Sequence, residues 1–157
     1  MPALDTLAPD EVVTIPSRLF GPLRVPVTRI LDLPDGLRGF EGMHRFVLLA
    51  SAEDGVFWLQ SADEGNLAFL VVDPFIFFPE YSVALPTDGT SLPGPESPDN
   101  LIVLVIVTLP HDATRPATAN LQAPLVVNMA RQLGQQIVIM DSPYGAREPL
   151  RLPGTDA

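Results

Sequence analysis

The sequence predicts a mainly β, single-domain protein: an antiparallel, β-barrel-like fold with only short helical turns. Short apolar runs rich in Val, Ile, Leu and Phe recur along the 157 residues, parted by turns that draw on 18 prolines and 11 glycines. Such spacing of β formers and breakers is the pattern of sandwiches and barrels. No stretch of 11 or more residues keeps a helical apolar period, and no internal repeat stands out. Two runs, Leu67–Val72 and Leu101–Val107, are apolar at nearly every position. They are expected to be strands covered on both faces, in a sheet whose closure would remove exposed edges.

Residues 1–11 read as a flexible N-terminal arm, 12–148 as the β domain and 149–157 as a flexible C-terminal tail. Val12–Ile15, Arg18–Phe20 and Leu23–Val25 are expected strands, the last two joined by a Gly21-Pro22 turn. Val27–Leu31 is a further short strand that ends in the loop chemistry of Asp32–Leu37, and Gly39–His44 reads as a single helical turn. Arg45–Leu49 and Val56–Gln60 follow as strands, and Ala62–Asn66 links the second to the central run with hairpin spacing. Trp58, among apolar neighbours, is read as a core or barrel-lining residue.

The central run stops at Asp73-Pro74, since proline cannot continue a ladder. Phe75-Ile76-Phe77-Phe78 then lies between Pro74 and Pro79, followed by Glu80 and Tyr81. Read as extended chain, it would point Phe75 and Phe77 one way and Ile76 and Phe78 the other. One face would enter the core, and the other would be covered by more of this chain or by a partner. Residues 82–100 read as a polar, proline-rich loop. Ala119–Asn128 is strand-like with a kink at Pro124, Met129–Gly134 turns, and Gln136–Met140 is the expected last strand.

The formal charge of −10 and pI of about 4.3 disfavour direct nucleic-acid binding, which needs clustered cations, and favour a basic protein partner. The acids look scattered, as on a solvated surface. There is no Cys, the first residues do not form a signal peptide, and the longest apolar run is far too short to span a bilayer. These features suit a soluble, cytoplasmic protein.

Motifs for chemistry are sparse. His44 and His111 lack metal-ligand spacing, and neither a phosphate-cradling glycine loop nor a nucleophile elbow is present. Glu53-Asp54 and Asp63-Glu64 sit in turns, where acids are solvated; His111-Asp112 has no nucleophile beside it. Asp73 is expected to cap its turn through an Asx-type hydrogen bond rather than to catalyse. No enzymatic role and no cofactor are expected.

The ordered set Leu19-Phe20-Gly21, Leu33-Pro34-Asp35-Gly36-Leu37, Gly39-Phe40-Glu41, Arg45-Phe46, Phe57–Ser61, Leu67-Ala68-Phe69, Asp73-Pro74-Phe75, Phe77-Phe78-Pro79, Tyr81, Val105–Thr108, Ala119–Pro124, Asn128 and Tyr144 resembles the flagellar assembly factor FliW family. The match covers most of residues 17–150. It departs in the longer arm before Val12 and in the proline-rich 82–100 loop. The resemblance implies a non-enzymatic regulator that binds and antagonises the translational repressor CsrA, a small basic dimer, away from its RNA surface. It also implies alternative binding of flagellin, so that flagellin export releases the factor to capture CsrA. A flagellin chaperone without a CsrA role and a small-molecule-binding β-barrel are the other readings. The candidate partner-binding residues are Asp73, Phe75, Ile76, Phe78, Glu80, Asn120, Leu121, Gln122 and Val126. A monomer is expected when the protein is free.

Overall fold

The computed structural model describes residues 11–150 apart from 83–100, 111, 113, 130 and 141. Along the chain run β1 (Val12–Ile15), β2 (Leu23–Pro26), β3 (Ile30–Asp32), β4 (Arg45–Ala50), β5 (Val56–Ser61), β6 (Ala68–Val72) and the single turn α1 (Pro74–Phe77). These are followed by β7 (Leu101–Thr108), β8 (Ala117–Ala119), β9 (Leu125–Asn128), β10 (Leu133–Gln136) and β11 (Glu148–Leu150). Strands β3 to β7 pair in sequence order and antiparallel; β7 also pairs with β9, β9 with β10, and β10 returns to β3. Seven strands therefore close a barrel.

One strand makes both the closure and the side extension. Leu101–Leu104 of β7 pair with β9, while Val107 and Thr108, on the same edge, pair with β8. β11 then adds outside β8. The seam between β10 and β3 is the thinnest, a parallel contact with the one register pair Leu133–Asp32. Gln132 reinforces it: its carbonyl accepts from Asp32 N–H (2.8 Å), and its side-chain amide donates to Ile30 O (2.8 Å) and Val27 O (3.2 Å). Gln132 adopts φ +56°, a left-handed conformation that is uncommon outside glycine.

Strand alternation sorts the apolar residues into separate cores. Phe46, Leu59, Val71, Leu104, Leu125 and Val127 point into the barrel, completely enclosed, with Leu31, Leu33 and Leu37. On the outer face, Val56, Leu70, Val72, Val105 and Val107 pack with Ala117, Ala119, Leu121 and Leu150 from the β8–β11 side. The β1–β2 hairpin is a separate two-stranded sheet; its Ile15 and Val25 cover Ile30 and Val47. Trp58 belongs to the outer-face core, half-buried, rather than to the barrel lining.

Several expected elements shift for identifiable reasons. Arg18–Phe20 is a turn, not a strand, because Ser17 Oγ accepts from Phe20 N–H (3.0 Å) and fixes the bend. Gly39–His44 is a pair of tight turns rather than a helical one, closed by Phe40 N–H to Leu37 O (2.7 Å) and Met43 N–H to Phe40 O (3.1 Å). Gly36 needs to be glycine there, at φ +65°, since a Cβ would lie 2.6 Å from Phe40 O. Ala119–Asn128 divides into β8, a turn and β9. The last barrel strand is Leu133–Gln136 instead of Gln136–Met140; Ile137 and Ile139 continue its register with one-sided bonds to Pro124 O and Gln122 O. Pro124 has no N–H to return, so the ladder stops there. The domain also runs past the expected edge at 148, as Pro149 and Leu150 belong to β11 and Leu150 is buried. The 82–100 loop, apart from Ser82, and the arm up to residue 10 lie outside the described residues.

Candidate functional site

The chain leaving β6 builds the site. Asp73 is the N-cap of α1: its Oδ1 accepts from Phe75 N–H (2.9 Å), and Pro74 occupies the first helical position, where its missing N–H costs nothing. The segment expected to be extended is therefore one helical turn. The consequence is a different sorting of its four apolar side chains. Consecutive Phe75 and Ile76 stand in solvent, 46% and 53% exposed, whereas Phe77 and Phe78 are half-buried against the outer-face core.

Two tyrosines hold this tip to the barrel. Tyr81 is buried and donates its hydroxyl to Leu121 O (2.9 Å); its ring lies 5.7 Å from that of Phe75 and 4.8 Å from that of Tyr144. Tyr144 donates to Glu80 O (3.1 Å). Burial, aided by the neighbouring Tyr144, pushes the Tyr81 phenol up to about 12. Below the tip lies the loop 51–55: Asp73 N–H donates to Gly55 O (2.8 Å), and the end of Ile76 fills the space where a Gly55 Cβ would stand.

The two stretches named from sequence meet through Tyr81. Asp73, Phe75, Ile76 and Glu80 are on or beside the tip, with Glu80 exposed and Phe78 directed to the core. Asn120 and Gln122 are half-buried and engaged locally: Asn120 Oδ1 accepts from Ala123 N–H (3.1 Å), and Gln122 O accepts from Ile139 N–H (2.8 Å). Leu121 and Val126 are completely buried, so neither offers surface to a partner in this conformation. They are packing residues, and only the carbonyl of Leu121 takes part, as the Tyr81 acceptor.

The charge pattern around the tip was visible in the sequence but easily missed. The acids are dispersed; the cations are not. Between Arg45 and His111 there is no Arg, Lys or His. Glu53 and Asp54 on the loop under α1, Asp73 at its start and Glu80 at its exit therefore put acids on the segments that flank Phe75 and Ile76, with no cation from that part of the chain. Arg147, three residues beyond Tyr144, is the nearest cation along the chain on that side.

Elsewhere the polar groups are structural. Asp112 Oδ1 accepts from Thr114 N–H (2.9 Å), which holds its carboxyl below the usual range; His111 lies outside the described residues. His44 Nδ1 sits 3.1 Å from Leu33 O. Among the described residues, no three His, Asp or Glu side chains gather so as to hold a metal ion, and no helix is long and apolar enough to cross a membrane.

A family model described as FliW protein matches residues 14–150. A flagellar assembly factor FliW of Treponema denticola is 37% identical over 136 residues, covering 87% of this chain and 92% of that protein. The same-named protein of Leptospira biflexa is 37% identical over 87% and 90% of the two chains; that of Symbiobacterium thermophilum is 39% identical over 77% and 88%. A crystal structure of the flagellar assembly factor FliW superposes with a TM-score of 0.79 at 27% identity, covering 90% of this chain and 99% of that one. With the seven-stranded barrel and the ordered motifs, these matches establish that the chain belongs to the FliW family.

Proposed function

We propose that this chain is a non-enzymatic flagellar assembly regulator that binds and antagonises the translational repressor CsrA and, alternatively, binds flagellin. Its relatives carry the name flagellar assembly factor, which supports the role in flagellar assembly. The observation that carries the partner reading is the tip: an exposed Phe75–Ile76 pair in a stretch of chain without cations, on a protein of formal charge −10. Such a surface attracts a basic protein and offers it apolar anchors. Work on flagellin messenger RNA through a protein, rather than by direct RNA contact, fits that charge, and a regulator of this kind works in the cytoplasm.

The filled barrel speaks against the small-molecule alternative. Phe46, Leu59, Val71, Leu104, Leu125 and Val127 are enclosed with no room for a water molecule beside them, whereas a ligand-binding barrel needs a lined cavity of roughly 300 Å³ or more. The test is calorimetric titration with CsrA and flagellin of the same organism, then with CsrA after flagellin saturation. Binding to both, with flagellin blocking CsrA, is the expected result. Binding to flagellin alone would make the protein a chaperone, and silence with both would refute the reading.

A further inference from the structure

We infer that the α1 tip is the surface that takes the basic partner, and that this partner is a folded, cationic protein offering a concave apolar pocket ringed by Arg or Lys. The inference rests on the partner reading above and decides which of the two partners the tip serves. Its ground is shape and charge together. Phe75 and Ile76 are successive residues on a single helical turn, both about half exposed, while the residues before and after them are buried or half-buried. They form a knob about one helical pitch wide, roughly 5 Å, rather than a groove. A knob is matched by a preformed hole. A flexible segment would have to order itself around the knob and lose that entropy for two side chains of contact.

The rim completes the match. Glu53 and Asp54 belong to the loop on which Ile76 leans, Asp73 caps the turn, and Glu80 ends it. Asp73 spends one carboxylate oxygen on Phe75 N–H, and Glu80 accepts from Tyr144 O–H through its backbone carbonyl, not its carboxylate. Carboxylates around an apolar centre select a partner pocket with cations at its edge and repel one edged by acids.

The knob is also presented in a fixed pose. Asp73 sets its start, Tyr144 O–H holds Glu80 O, and Tyr81 ties its exit to Leu121 O while its ring packs at a tilt against that of Phe75. Little has to be ordered on this side when a pocket closes over it. This assignment leaves flagellin to another part of the surface.

The experiment compares the double variant Phe75→Ser/Ile76→Ser and the charge variant Glu53→Gln/Asp54→Asn with the unaltered chain, each titrated with CsrA and with flagellin. The double variant should weaken CsrA binding about 100-fold, as loss of a central anchor does. Its melting curve and its flagellin affinity should stay close to those of the unaltered chain. The charge variant should slow CsrA association about tenfold at low salt and flatten its salt dependence. Unchanged CsrA binding by the double variant would overturn the assignment, as would equal loss of both partners. If the unaltered chain binds neither protein, the partner reading itself has failed, and that outcome is distinct because it precedes any substitution.

Discussion

Two apolar projections stand on the outer face of the barrel, and they are built differently. One is the α1 tip. The other is the turn at Arg18–Gly21, where Leu19 and Phe20 are 54% and 41% exposed and Phe20 meets Trp58 edge-on at 6.0 Å. By exposure alone they are equals. Their anchoring separates them: the Leu19–Phe20 turn hangs on a buried polar bond, Ser17 Oγ to Gln60 Oε1 (2.8 Å), and on a close backbone approach between Pro16 and Gly65, with Arg18 N–H donating to Gly65 O (2.9 Å). The tip hangs on aromatic rings and two phenol hydroxyls. Their charge separates them further, because Arg18 stands near Asp63 and Glu64 of the facing loop, whereas the tip lies in the run between Arg45 and His111 that carries acids and no cation. Exposed apolar area is common on proteins; the cation-free run of chain that carries it is what singles out the tip.

The comparison can be broken most strongly at Gly65. A Cβ there would collide with the backbone carbonyl of Pro16, which cannot swing away. Gly65→Ala should cost about 3 kcal/mol in denaturant unfolding, while Gly21→Ala, at φ +72° with open space around it, should cost only about 1 kcal/mol. Equal losses would mean that the Pro16 contact relaxes freely. Next comes Ser17→Ala. It strands the buried Gln60 Oε1 and frees the Phe20 N–H, for a loss of about 2 kcal/mol, whereas exposed Leu19→Ser should move stability by less than about 0.5 kcal/mol.

Tyr81→Phe should be milder, about 1 kcal/mol, because the ring keeps its packing and only the bond to Leu121 O is lost. Its pH signature is sharper than its size. The Tyr81 phenol is raised from 10 to about 12, so the fold favours the neutral form. That contribution is present in full below pH 10 and is lost as pH rises through about 12. The chain has no lysine, and arginine stays charged, so no basic side chain loses its proton in that window. Stability should fall between pH 10 and 12 in the unaltered protein and much less in Tyr81→Phe; identical curves would remove Tyr81 as the cause. Phe78, which packs against the core, should behave unlike Ile76: Phe78→Asp should lower the melting temperature where Ile76→Ser does not. The smallest expected effect is a gradual weakening of CsrA binding with salt, and a flat dependence would take the acidic rim out of recognition.

Most of the strands, the closed β architecture, the Asp73 cap and the family were legible in the residues alone. These are local or periodic facts: alternation and breakers define strands, and Asp-Pro defines a cap, whatever lies across the sheet. The same Asp-Pro pair also announces a helix start, and the four aromatic and aliphatic residues after it obscured that signal. Which apolar residues face solvent was set by packing across the fold. Phe75 and Phe78 differ by three positions and by nothing in kind, and Leu121 and Val126 lie in a stretch that looks as surface-like as Gln122. Their fates follow from the turn that swings Phe75 outward and from β8, β9 and β11 closing over the others. Burial is a property of what packs on a residue, and those neighbours come from 40 or more positions away, as with Tyr81 and Leu121.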